Sequence, residues 1–141
     1  MTAIAAPASS NWTFHKPNKE NPFLYDKDPS FKGTFTSAKK TPVMSALLEF
    51  EENAPEKETA AWINQRYLEG KAVVISQENL SKDSSFMIFQ IHEGKENRRV
   101  LVYTKKKKDK TLLLSYEGPA DVSRKDFKPI HASILELLKS L

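Results

Sequence analysis

The stretch that decides the fold reads Ser84-Ser-Phe-Met-Ile-Phe-Gln-Ile-His92, a connector Glu93-Gly-Lys-Glu-Asn97, Arg98-Arg-Val-Leu-Val-Tyr-Thr104, the run Lys105-Lys-Lys-Lys-Asp-Lys110, and Thr111-Leu-Leu-Leu-Ser-Tyr116. Three runs rich in β-branched and aromatic residues are separated by short polar connectors, one with a glycine and the other almost wholly charged. That pattern predicts three consecutive antiparallel strands. Within the first run Phe86, Ile88 and Gln90 alternate with Met87, Phe89 and Ile91. Both faces are largely apolar, so the sheet is expected to be covered on at least part of each side.

Downstream, Gly118-Pro119 turns the chain, and Phe127, Ile130, Ile134, Leu137, Leu138 and Leu141 then fall on one helical stripe. This predicts a closing helix lying across the sheet. Ser123 or Asp126 is its expected cap, and Pro129 is tolerable in its first turn. Upstream, Val43 to Glu51 alternates as a strand whose Met44/Phe50 face points inward, and Lys71 to Asn79 reads as another strand. Between them, Asn53 before Ala54-Pro55-Glu56 starts a helix that carries Ala60, Trp62, Ile63 and Tyr67 and stops at Gly70.

Residues 11 to 42 hold Trp12, Phe14, Phe23, Tyr25, Phe31 and Phe35 among prolines at 17, 22, 29 and 42. The prolines forbid a long regular element, and six aromatics are too many for a disordered tail. The expectation is an extended N-terminal arm, residues 1–42, packing on a single α+β domain of residues 43–141, with short strands at Asn11–His15 and Phe31–Ser37. The fold class that follows is α+β: an antiparallel β-sheet covered by two main helices.

With 141 residues the chain fits one domain, and its net charge of +4 speaks to solubility more than to partners. The absence of cysteine excludes disulfides, thiolate metal sites and cysteine nucleophiles together. Met1 to Ser10 has no basic n-region and no long apolar h-region, yet Ala3-Ile4-Ala5 has the small-residue spacing found around a cleavage site. The expected compartment is periplasmic or secreted, as a mature form, with the cytoplasm as the alternative.

The run Leu112-Leu-Leu-Ser-Tyr116, a short loop, and then Phe127 and Ile134-Leu-Glu-Leu-Leu138 look like the last strand and closing helix of a known family. Over roughly residues 43 to 141, the order strand, helix, strand, three-strand meander and helix resembles the family of the photosystem II extrinsic subunit PsbP and the Ran-binding Mog proteins. The resemblance implies an α-β-α sandwich and a non-catalytic accessory or binding role. It carries no functional residue over.

No catalytic constellation is visible. His15, His92 and His131 have no ligand spacing, and read as surface or capping residues. There is no G-x-S-x-G elbow, and the four glycines are placed like turn or cap residues rather than as a phosphate loop. The expectation is therefore no enzyme, no metal and no cofactor. Between Lys95 and Lys110 eight basic residues stand against Glu96 and Asp109. The plainer reading of the lysine run is a solvated hairpin tip that keeps the sheet soluble. The functional reading is a contact region made of Arg98, Arg99, Lys105, Lys106, Lys107, Lys108 and Lys110, with Trp12 and Phe14 of the arm. Its expected partner is another protein, followed by an acidic membrane surface, with nucleic-acid binding through Lys105–Lys110 as the alternative.

Overall fold

The computed structural model describes residues 12–37, 44–50, 62, 71–93, 96–119 and 124–141. The strands are β1 (Trp12–His15), β2 (Phe31–Ser37), β3 (Met44–Phe50), β4 (Lys71–Asn79), β5 (Ser84–Glu93), β6 (Glu96–Lys107) and β7 (Lys110–Pro119), and the closing helix is α1 (Arg124–Ser140). All seven strands share one sheet in the order β1-β2-β3-β7-β6-β5-β4, with every neighbour antiparallel. The meander at 84–116 supplies the three strands β5, β6 and β7, and β6 pairs along its length with both others.

The expectation of a sheet covered by two main helices, an α-β-α sandwich, is corrected. The described structure is a seven-stranded antiparallel sheet with one C-terminal helix. The helix expected from Ala54 to Gly70 lies outside the described residues except for Trp62, which is helical and buried. The sheet is wide because the proline-punctuated arm contributes two hydrogen-bonded strands, β1 and β2, rather than only a packing surface.

Two further expectations change. β3 has two covered faces instead of one, since Leu47 and Leu48 are both buried along with Phe50. The lysine run is mostly strand: Lys105, Lys106 and Lys107 pair with Leu112, Thr111 and Lys110, leaving only Lys108 and Asp109 in the turn. Alternating ladder positions let a lysine on an outer strand end stay solvated, so charge alone does not break a strand.

The core lies on both faces. On one, Leu47, Leu114, Tyr103 and Phe86 stand opposite one another across four strands, Phe35 extends the row diagonally onto β2, and Ile130, Ile134, Leu137 and Leu138 of α1 belong to the same cluster. Burying each such aliphatic side chain stabilises the fold by about 1.5–3 kcal/mol. On the other, Leu48, Phe50, Met87, Phe89, Ile91, Val100, Val102 and Leu113 cluster with Trp62.

Two backbone features show where the sheet and helix are under constraint. Gly33 has φ 148° at the irregularity between Phe31 and Gly33, and a Cβ there would lie 2.5 Å from the Phe14 ring and 2.6 Å from the His15 carbonyl oxygen. The ring of Phe14 thus covers a glycine backbone while packing 5.0 Å from Phe35. Pro129 lies inside α1, beyond its expected first-turn position, because the helix already begins at Arg124. Its ring nitrogen cannot donate to the carbonyl four residues back.

Opposite effects follow from these two sites. Gly33→Ala lowers stability by more than about 1 kcal/mol, since both the dihedral and the space forbid a methyl group. Pro129→Ala, at an exposed position, raises it by about 1–2 kcal/mol by restoring the missing helical hydrogen bond. Urea denaturation of both variants checks the pair of signs.

Candidate functional site

The lysines of the second hairpin, Lys105 to Lys110, lie at one end of the sheet, where three connections gather neighbouring segments around them. The turn after β4 closes through Leu80 and Ser81 amides donating to the Ser84 carbonyl, at 2.9 and 3.2 Å. The Lys106 amide donates to the Asp83 carbonyl at 2.7 Å, which fixes that turn against the end of β6. The Lys105 ammonium donates to the Leu138 carbonyl at 3.1 Å, which brings the C-terminus of α1 to the same place. Lys82 of the turn and Lys139 of the helix therefore join Lys105, Lys106, Lys107, Lys108 and Lys110. No sequence spacing signals Lys82 or Lys139; only the closure of the turn and helix against β6 places them.

These lysines are not equivalent. Lys105 is committed to structure: it satisfies a carbonyl of the last helical turn and complements the negative end of the helix dipole. Burial lowers the pKa of its ammonium, and the neighbouring charge of Lys107 adds to that lowering. Lys110 forms an ion pair with Glu49 at 3.4 Å. Lys106, Lys107 and Lys108 are exposed at the tip.

The tip breaks two local rules. Lys107 and Lys110 face each other across the ladder, and like charges directly opposite destabilise a hairpin. Lys108 occupies the left-handed region at φ 37°, a position in which glycine, asparagine or aspartate would be less strained. Such local violations concentrate where a surface is used for something other than stability.

A second polar group lies under the helix. The Tyr103 hydroxyl lies 2.8 Å from Nδ1 of His131. Burial pushes the Tyr103 phenol far above its ordinary pKa, so it stays protonated, and the imidazole tautomer sets which of the two groups donates. The His131 ring stacks on Phe127 at 5.2 Å and lies 4.7 Å from Phe86. Burial lowers the pKa of His131, and the carboxylate of Glu78 partly opposes that effect. His131 is thus a helix-to-sheet latch rather than a surface or capping histidine; its place on the apolar stripe, four residues after Phe127 and three before Ile134, was the available signal. His15 instead bonds Thr36 through Nε2 at 2.8 Å, and His92 is exposed, so the three histidines do not converge.

The remaining expected contact residues lie elsewhere. Arg98 and Arg99 lie near the start of β6 at the opposite end of the sheet, roughly 24 Å from Lys106 at strand rise. Arg98 pairs with Glu117 at 2.7 Å. Trp12 is 6% exposed, and Phe14 packs on Phe35, so both aromatics of the arm are built into the sheet and its first core cluster. Among the described residues no group of three histidine, aspartate or glutamate side chains is placed to hold a metal ion.

The fold built from this antiparallel sheet and the helix on its C-terminal meander is PsbP-like. Among the solved structures similar to it is the solution structure of cyanobacterial PsbP (CyanoP) from Synechocystis sp. PCC 6803, with a TM-score of 0.57 over 93% of this chain and 81% of that one, at 9% identity. No family model and no curated protein sequence matches the chain.

The latch gives a pH dependence with a defined sign. Because burial holds the folded-state pKa of His131 below the unfolded value of about 6.5, its contribution is fully present above that value. As the pH falls below about 6.5 the unfolded chain takes up a proton that the folded one does not, and stability declines until the folded value has been passed. His131→Phe, which keeps a ring between Phe86 and Phe127, flattens this part of the stability profile; urea midpoints measured at stepwise lower pH read it out.

Proposed function

We propose that the chain is a non-enzymatic accessory domain that docks on an acidic protein surface through the lysine-bearing end of its sheet. The observation that carries this reading is the tip itself: Lys106, Lys107 and Lys108 are exposed together on a hairpin whose turn dihedral and facing Lys107–Lys110 pair both work against its own stability. A tip selected only for solubility needs neither the strained lysine nor the opposed charges. The anchoring of Lys105 to α1 and of the 81–84 turn to β6 makes the surface rigid, so little conformational freedom is lost on docking. Its charge would steer encounter and fix orientation more than supply affinity. The likeness in fold to PsbP is compatible with an accessory role.

The test separates binding from folding, because the lysines differ in role. Replacing Lys106, Lys107 and Lys108 together by glutamate reduces retention on an immobilised glutamate-rich peptide at least tenfold and leaves Tm within a few degrees. Lys105→Met does the reverse, lowering stability by about 0.5–1.5 kcal/mol through the lost helix-end hydrogen bond while retention changes little. Unchanged retention in the triple variant leaves the tip as a solubility device. Binding of duplex DNA instead of the peptide, with a steep fall on adding salt, moves the assignment to nucleic acid.

A further inference from the structure

The two outer strands of the sheet are unlike. β1 is four residues long and starts at buried Trp12. β4 is nine residues long, pairs among the described residues with β5 alone, and is exposed from residue 73 to residue 79. Val73, Val74 and Ile75 are exposed by 51%, 49% and 45%. Edge strands are ordinarily blunted by a central lysine or a proline. Positions 72–77, Ala-Val-Val-Ile-Ser-Gln, contain neither, and the charged positions of β4 are Lys71 and Glu78 near its ends.

We infer that β4 is an interface to a second copy of this chain, pairing antiparallel with the copy's β4 about a two-fold axis at the Val74–Ile75 bulge. The register argues for this occupant. Positions 71, 73, 76 and 78 oppose His92, Gln90, Ile88 and Phe86, which are alternate residues of β5 and so share one face. Positions 72, 74 and 77 oppose Ile91, Phe89 and Met87 and share the other. The extra residue, Ile75, is what keeps 71 and 78 on the same face despite their odd separation.

An isologous pairing perpendicular to the sheet needs facing residues to share a face. With the bulge on the axis, position 71 faces 78, 72 faces 77 and 73 faces 76, and each facing pair meets that requirement. Val74 and Ile75 meet their own copies at the axis, Val73 meets Ser76 on either side of it, and a lysine position meets a glutamate position at both ends. Without the bulge the same pairing would put the two charges on opposite faces.

Charge at long range selects the same arrangement. β4 runs toward the turn at 81–84, and so toward the lysine-bearing end. Antiparallel pairing holds the two basic ends far apart, whereas a parallel arrangement would set them side by side. The pair would present two lysine tips at its extremes. The inference stands independently of what those tips bind.

The chain contains no cysteine, so single cysteines report the contact directly. Ile75→Cys, next to the axis, cross-links to a dimer in a glutathione buffer, whereas Thr13→Cys on β1 stays monomeric. In sedimentation velocity the native chain shows a reversible dimer that fills as concentration rises towards about 0.5 mM. Val74→Lys weakens it at least tenfold with Tm within a few degrees, the position being exposed. Glu78→Lys weakens it several-fold, and adding Lys71→Glu restores it, which tests the register itself. A native chain that stays monomeric over the whole range overturns the inference, as does cross-linking of Thr13→Cys as readily as Ile75→Cys. In the monomeric case the edge is left to a strand of some other protein.

Discussion

The structure depends on one burial: the apolar face of α1 laid on the row that Phe35, Leu47, Leu114, Tyr103 and Phe86 draw across the sheet. Ile134 and Leu137 are fully buried there, and each side chain of this kind stabilises by about 1.5–3 kcal/mol, far more than any surface ion pair in the molecule. The rest of the arrangement is positioned by that contact. Tyr103 and His131 form a hydrogen bond only because helix and sheet have already closed around them. Lys105 reaches the Leu138 carbonyl only because the helix ends beside the tip of β6. A strained lysine hairpin is tolerable on a scaffold with this much buried surface, and would not be on an isolated hairpin.

The same closure divides the lysine run into roles. One lysine finishes the helix, one pairs with Glu49, and three remain on the outside. Seen as sequence, the run is uniform; seen in the ladder, alternate positions have different neighbours and so different chemistry. Charge is thereby concentrated at one end of the sheet, while the long apolar edge β4 lies along its side. The two surfaces are separate in the fold and in the physics they would use, electrostatic steering at one and strand pairing at the other.

Much of this architecture was legible in the residues. Continuous apolar and aromatic runs at Phe86–Ile91, Val100–Tyr103 and Leu112–Tyr116, broken by short polar connectors, specified the meander, and the stripe from Phe127 to Leu141 specified the helix, because both patterns report burial directly. Strands β1 and β2 were visible as aromatic clusters, but their membership of the sheet was not: the prolines at 17, 22 and 29 argue against a long element and say nothing about short ones paired across a turn. The two-helix covering was inferred from the capping pattern at Asn53–Glu56, and the described structure has one helix over a wider sheet. Of the expected contact residues, Lys105–Lys108 and Lys110 come together, since they are neighbours in sequence. Arg98 and Arg99 do not join them, because a twelve-residue strand carries its two ends to opposite edges of the domain. Lys82 and Lys139 escaped notice for the converse reason, being brought in by a turn and a helix end far away in the chain.

Native-state hydrogen exchange tests the central contact most directly. If α1 and the meander are one cooperative unit, the amides of Ile134–Leu138 and those of Val100–Thr104 open with the same free energy and shift together when Leu137 is replaced by alanine. Helix amides that exchange freely while the β6 amides keep their full protection would contradict the account.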